Sequence, residues 1–218
     1  LALQGDFREH IRALERLGAL AHAVRLPEQL VGVDGLIIPG GESTVMGKLM
    51  VEYHLDRPLR DLIAAGTPTW GTCAGMILLA RATDNALAGQ PLLAAMHVRV
   101  ARNAFGGQRE SFVTDLRVPV LGPAPVRAVF IRAPAVLEAD PGVAILARLD
   151  DGSRRDDHSG PDDGTIVAVR EGHLLATAFH PEVTADLRFH RYFLDVVRQT
   201  RPDPAANPPV PAAAVPGQ

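Results

Sequence analysis

Cys73, the only cysteine of the chain, sits in the five residues Gly71-Thr72-Cys73-Ala74-Gly75. Strand-type residues from Thr67 to Trp70 lead into it, and helix formers at Ala74 and from Met76 to Ala80 lead out. A nucleophile with a glycine two residues away on each side is the pattern of a nucleophile elbow. The strand must turn abruptly into a helix there. The nucleophile takes a strained backbone, and side chains at the two flanking positions would collide. The thiol would lie at a helix N-terminus, where the dipole and free N–H groups favour thiolate. The bland alternative is a structural cysteine, since free cysteines are often buried.

His180-Pro181-Glu182 follows the strand-like run His173 to Phe179. Residues two apart in an extended chain point to the same side. His180 and Glu182 can therefore face one site, with Pro181 ending the strand. A cysteine nucleophile needs a base, and the base needs an orienting partner. Cys73, His180 and Glu182 supply those three roles. A third piece, Pro39-Gly40-Gly41-Glu42-Ser43, follows the apolar run Gly35 to Ile38. A Gly-Gly turn beyond a buried strand exposes backbone N–H groups that can hold an oxyanion. The same residues would also make a tight loop with Ser43 capping a helix.

Together these pieces resemble the class I, or triad, glutamine amidotransferases. More narrowly, the chain is similar to the glutaminase subunits of pyridoxal 5′-phosphate synthase, from Leu1 to about Arg198. The carrying segments are Leu3-Gln4-Gly5 with Arg8-Glu9-His10, Arg25 to Gln29, Asp34 to Thr44 and Gly71 to Gly75. Further segments are Arg102 to Gly106, Phe130 to Pro134 and Phe179 to Glu182. The elbow and the later His-Pro-Glu are common to many amidotransferases. The segments PGGEST, RNAFG and FIRAP are more specific.

The resemblance implies Cys73 as nucleophile, His180 as general base and acid, and Glu182 as the orienter of His180. It implies an oxyanion hole from the backbone around Gly41 and Ala74. It also implies a glutamine pocket lined by Gly41, Glu42, Ser43, Arg102, Ile131 and Arg132. An arginine suits the α-carboxylate of glutamine by bidentate pairing, and Glu42 suits its α-ammonium. The implied reaction converts L-glutamine to glutamate and ammonia through a γ-glutamyl thioester, with no metal or organic cofactor. The implied partner is a (β/α)8-barrel synthase subunit that receives the ammonia, with glutaminase subunits decorating a dodecameric core. Rival readings are the glutaminase of another amidotransferase, a cysteine hydrolase of the DJ-1/PfpI type, and a non-catalytic binding module on an amidotransferase scaffold, against which the intact Cys73, His180 and Glu182 argue. The sequence departs from the family in three places. It enters the expected first strand only at Leu1, carries Gly107 where arginine is frequent, and has a long loop from Leu149 to Gly164.

Composition sets bounds on these readings. A chain of 218 residues with 47% hydrophobic content suits one α/β domain. A net charge of −3 gives no electrostatic case for nucleic acid. The basic residues are arginines except for Lys48. No run approaches the ~18 apolar residues of a membrane helix. A single cysteine excludes an intrachain disulfide and fits a reducing cytoplasm.

The elements that must position these residues alternate in the first half. Asp6-x-x-Glu9 reads as a capping box opening a helix with Phe7, Ile11, Leu14 and Leu17 on one face. Ala21 to Leu26 reads as a strand and Gly35 to Ile38 as a buried one. Helices follow at Ser43 to Glu52 and Asp56 to Ala65, and then the elbow. This βα alternation predicts a parallel sheet with active residues at the carboxyl ends of its strands. From Met96 the chain becomes strand-rich, at Met96–Ala101, Ser111–Val118, Val126–Ile131, Val143–Leu149, Thr165–Arg170 and His173–Phe179. A last amphipathic helix covers Ala185 to Gln199. The predicted fold is α/β, three-layered and flavodoxin-like, with a mainly parallel central sheet and additional antiparallel strands. The amidotransferase domain spans 1–200, and the Pro/Ala-rich tail 201–218 has nothing to pack and reads as disordered. The acidic loop from Asp150 to Asp163 is interleaved with Arg154 and Arg155 and lacks calcium-loop spacing. It reads as a solvated hairpin tip. The histidines other than His180 have no partner at telling spacing and read as structural or surface residues, except that the resemblance places His10, in the helix after the Leu-Gln-Gly turn, near the partner interface.

Overall fold

The structure, a computed structural model, describes residues 1–105, 111–150 and 164–200. The tail 201–218, Gly106, Gly107 and residues 151–163 of the acidic loop lie outside the described residues.

The helices are α1 (Phe7–Arg16), α2 (Ser43–Glu52), α3 (Asp56–Ala64), α4 (Ala74–Leu79) and α5 (Arg188–Thr200). The strands are β1 (Leu36–Ile38), β2 (Thr69–Thr72), β3 (Ala80–Asp84), β4 (Met96–Ala101) and β5 (Ser111–Leu116). They continue with β6 (Val126–Ile131), β7 (Ala135–Ala139), β8 (Ala144–Leu149), β9 (Thr165–Glu171) and β10 (Leu174–Thr177). The main sheet runs β1-β2-β10-β9-β7-β4-β3, with β8 paired to β9, while β5 and β6 form a separate ribbon. β1, β2 and β10 are mutually parallel, and β9, β7 and β8 join as antiparallel neighbours. All three candidate site segments leave the carboxyl ends of the parallel trio.

Alternation along β2 sorts its side chains between two layers. Trp70 is fully buried and its ring meets His10 of α1 and Phe189, His190 and Phe193 of α5. Gly71 faces the other way, against α4. The sheet is thus covered by α1 and α5 on one face and by α4 on the other. Burying an aromatic of this size contributes roughly 1.5–3 kcal/mol, so Trp70 anchors the α1–α5 layer to the strand that ends at Cys73. Among the described residues no helix is long and apolar enough to cross a membrane.

Several expectations change on contact with the structure. Asp6 precedes α1, but its side chain makes no cap hydrogen bond, so the capping box is not formed. The deepest positions of α1 are His10 and Ala13, and the apolar stripe of Phe7, Ile11, Leu14 and Leu17 is only partly buried. Residues 21–25 form no strand. The backbone bond there runs from Ala2 N–H to the Val24 carbonyl, and one bond does not make a ladder. β3 and β7 are strands that sequence reading passed over. α5 starts at Arg188 because the Asp186 carboxylate accepts from the Arg188 N–H and fixes the preceding turn.

Candidate active site

Cys73 leaves β2 with φ 48° and ψ −103°, outside the regions that L-residues normally occupy. The two glycines show why the turn can exist. A Cβ on Gly71 would stand 2.4 Å from the carbonyl of Gly75, and one on Gly75 would stand 2.0 Å from the Ile38 carbonyl oxygen. Both obstacles are backbone and cannot swing away. The elbow is bonded to the neighbouring strand by Cys73 N–H donating to the Thr177 carbonyl at 2.8 Å. The Sγ of Cys73 lies 3.9 Å from the Ile131 carbonyl.

His180 and Glu182 meet as expected, by a different geometry. β10 ends at Thr177, and Pro181–Val183 is a turn of 3-10 helix. The turn, not an extended strand, brings Glu182 Oε1 to 2.7 Å from His180 Nδ1. That bond leaves the other ring nitrogen for the thiol. Both side chains are almost wholly buried. Burial on its own would lower the His180 pKa. The neighbouring Cys73 and Glu182 side chains overcome it and raise the value to about 10. An imidazolium in that place is the natural counter-ion of a thiolate. Burial pushes the Glu182 carboxyl up, opposed by its bond to His180.

The Gly-Gly turn lies directly on the base. A Cβ on Gly40 would stand 2.2 Å from His180 Cε1 and 2.8 Å from Nδ1. Gly40 is thus the floor on which the imidazole rests. Asp6 N–H donates to the Gly40 carbonyl at 3.1 Å, and the Asp6 carboxylate lies 3.5 Å from His180 Nδ1. Gln4 Oε1 accepts from Glu42 N–H at 2.7 Å. Asp6 and Gln4 were invisible as site residues because their partners lie far along the chain. Asp6, His180 and Glu182 also offer ligand atoms within 4.8 Å of one another. A cation held there would take the nitrogen that Glu182 already occupies and so break the dyad.

Glu42, not Ser43, caps α2: its carboxylate accepts from Thr44 N–H at 3.1 Å and Val45 N–H at 2.7 Å. Partial burial works against it, but these two bonds hold the Glu42 carboxyl below its usual range. Arg102 Nη2 donates to the same carboxylate at 3.1 Å, and Arg102 Nη1 donates to Gln90 Oε1 at 2.9 Å. Gln90 in turn donates to Ser43 Oγ at 3.1 Å. Glu42, Ser43 and Arg102 therefore share one network, completed by Gln90, which had no sequence signal. Ile131 and Arg132 are exposed at the end of β6, with Arg132 at φ 42°. Ala74 is the first residue of α4 and is buried beside Cys73.

The remaining histidines are less idle than local spacing suggested. His10 and His190 bond to each other, His22 to the Gln29 carbonyl, His97 to Glu171 and His173 to the Ile63 carbonyl.

Comparison with known proteins adds to this geometry. The profile of the SNO glutamine amidotransferase family matches residues 1–199. A relative from Carboxydothermus hydrogenoformans, named pyridoxal 5′-phosphate synthase subunit PdxT, is 51% identical over 197 residues, covering 90% of this chain and 95% of that protein. One of the same name from Moorella thermoacetica is 53% identical over 197 residues, covering 90% and 97%. A crystal structure described as a glutamine amidotransferase superposes with a TM-score of 0.80 at 46% identity, covering 91% of this chain and 97% of that one. Another solved structure, described as the structure of PurLQS from Thermotoga maritima, shares the fold at a TM-score of 0.64 and 15% identity, covering 89% of this chain and 95% of that one.

Proposed function

The chain belongs to the SNO glutamine amidotransferase family, and from that premise we propose that it hydrolyses L-glutamine and passes the ammonia to a synthase subunit making pyridoxal 5′-phosphate. Family membership sets aside the DJ-1/PfpI reading, and the names of the relatives favour this synthase over other amidotransferases.

The observation that carries the chemistry is the 2.7 Å bond from His180 Nδ1 to Glu182, with the other side of the ring turned to an elbow cysteine. The Cys73 sulfur adds to the amide carbon of the glutamine side chain. The oxyanion so formed is held by the backbone N–H groups of Gly41 and Ala74. His180 gives its proton to the departing nitrogen, ammonia leaves, and the γ-glutamyl group remains on sulfur as a thioester. Water then attacks that carbonyl while His180 accepts its proton, and glutamate is released with the thiolate restored. Glu42 and Arg102 orient the α-ammonium and α-carboxylate with Ser43, Ile131 and Arg132 around them. The partner is a (β/α)8-barrel subunit, with glutaminase chains arranged on a dodecameric core.

Acid quenching during turnover of isotope-labelled glutamine tests the covalent step. Mass spectrometry should find the label on the peptide bearing Cys73. Label on another residue, or rapid turnover with none trapped on any peptide, would contradict it.

A further inference from the structure

Behind Glu182, on the side away from His180, lies a chain of buried polar groups with unusually few partners. Among the described residues, Glu182 Oε2 and His190 Nδ1 are buried without a hydrogen-bond partner. Between them stands His10, 2% exposed. Its Nδ1 lies 3.0 Å from His190 Nε2. Its Nε2 lies 3.2 Å from Thr72 Oγ1 and 3.5 Å from Glu182 Oε2. Thr72 is the residue before the nucleophile.

Two arrangements of protons satisfy the His10–His190 contact. In one, His10 donates from Nδ1. Its Nε2 then accepts from the Thr72 hydroxyl but sets its lone pair toward a carboxylate oxygen, and His190 must carry its proton on Nδ1, a buried donor with no acceptor among the described residues. Leaving such a donor unsatisfied costs about 1–3 kcal/mol. In the other, His190 donates from Nε2 to His10 Nδ1. His10 then carries its proton on Nε2, aimed at Glu182 Oε2 and Thr72 Oγ1. Left over are an acceptor on His190 and the hydroxyl proton of Thr72, which His10 no longer accepts. The second arrangement avoids the orphaned ring N–H and turns the His10–Glu182 contact from repulsive to attractive.

We propose that His10, held in its Nε2–H form by His190, is a positioning residue that fixes the Glu182 carboxylate and through it the His180 imidazole. This rests on the glutaminase reading above. A carboxylate that orients a catalytic histidine needs its own second oxygen held, or it rotates about its last bond and takes the imidazole with it. At 3.5 Å the contact is long for a hydrogen bond. Its hold is that of an oriented N–H dipole in a dry setting, where such dipoles act strongly. Both rings must stay neutral for this to work. Burial and the neighbouring His190 hold the His10 pKa well below its ordinary value, and burial takes His190 to about 4. The other charged groups facing His10 are His180 and the Glu182 carboxylate itself.

The test has two arms on the full chain. Nitrogen-15 NMR of labelled histidines reads the tautomers directly, with His10→Gln and His190→Gln assigning the signals. A proton on Nε2 of both rings is expected, and a proton on Nδ1 of His10 would overturn the proposal. The second arm compares glutaminase kinetics, with the synthase subunit present, in His10→Asn and His10→Gln. The asparagine amide stops at the Nδ1 position and cannot reach Glu182, whereas the glutamine amide can. His10→Asn should lose about 10-fold in kcat, the low end for outer orienting groups, with KM nearly unchanged and the acid limb of the pH profile moved to higher pH. His10→Gln should recover most of that loss. Equal kcat in wild type and His10→Asn, or equal losses in both variants that track their melting temperatures, would overturn the proposal. A wild type unable to turn over glutamine would instead sink the glutaminase reading, and the tautomer measurement would still decide this one.

Discussion

The imidazole of His180 rests on the backbone of Gly40 so closely that a Cβ there would stand 2.2 Å from its Cε1. The Gly-Gly turn therefore does more than expose backbone N–H groups. It also limits where the imidazole can lie. Gly40→Ala should push the ring away and lower kcat by about 100-fold, the cost of misplacing a catalytic group by an ångström. The fold should persist, because the ring can swing. Steady-state kinetics beside circular dichroism checks this, and near-normal kcat would show that the ring does not depend on residue 40.

Gly75→Ala should behave differently, because its obstacle is the Ile38 carbonyl at 2.0 Å and not a side chain. The strand and helix must separate or the elbow must deform. The expected loss is on the order of 3 kcal/mol, the upper end for overpacking, read as a shift in denaturant midpoint. A midpoint within error of the wild type would mean that α4 can move freely away from β1.

These two glycines illustrate what was legible in the sequence. The elbow is a local constraint, written within five residues, and so it could be read. The His180–Glu182 pair was also legible, although a 3-10 turn and not an extended strand joins it, because Pro181 fixes its own φ and starts that turn. The Glu42 cap on α2 was missed in favour of Ser43, since both are plausible caps by type. Gln90 and the His10–His190 pair were illegible for a different reason. Their partners are 12 to 180 residues away and meet only once the layers pack. β3 and β7 were missed because Ala-rich segments such as Ala80-Arg81-Ala82 have no strand signature until a neighbour pairs with them.

Arg102 ties Glu42 to Gln90 and, through it, to Ser43. Replacing it with alanine removes a charge-assisted bond, for which about 1.5–3 kcal/mol is usual, so KM for glutamine should rise about 10-fold or more. Arg102→Lys should recover little, because an ammonium cannot bridge the carboxylate and the amide together. An unchanged KM in the alanine variant would remove Arg102 from the substrate pocket.

The buried His190 predicts acid sensitivity. Its folded pKa is lowered from 6.5 to about 4 by burial. Protonation therefore favours the unfolded chain, and this group's contribution, full above about 6.5, is lost as pH falls toward 4. Between pH 7 and pH 5 the loss should be about 2 kcal/mol. Urea unfolding at several pH values should show a shallower decline in His190→Gln than in wild type. His180, with the opposite sign, is common to both proteins and cancels. Parallel pH dependences would contradict the assignment.

The central claim is that Cys73, His180 and Glu182 hydrolyse glutamine for a synthase partner. The most direct measurement is ammonia release from L-glutamine by wild type, Cys73→Ala and Glu182→Gln, each with and without the pyridoxal 5′-phosphate synthase subunit. The account predicts little release by the isolated chain and strong release with the synthase. It predicts none from Cys73→Ala, which should still bind the synthase, and a loss of about 100-fold or more in Glu182→Gln, where the imidazole loses its anionic partner. Undiminished release by Cys73→Ala, or release by the wild type that the synthase does not change, would contradict it.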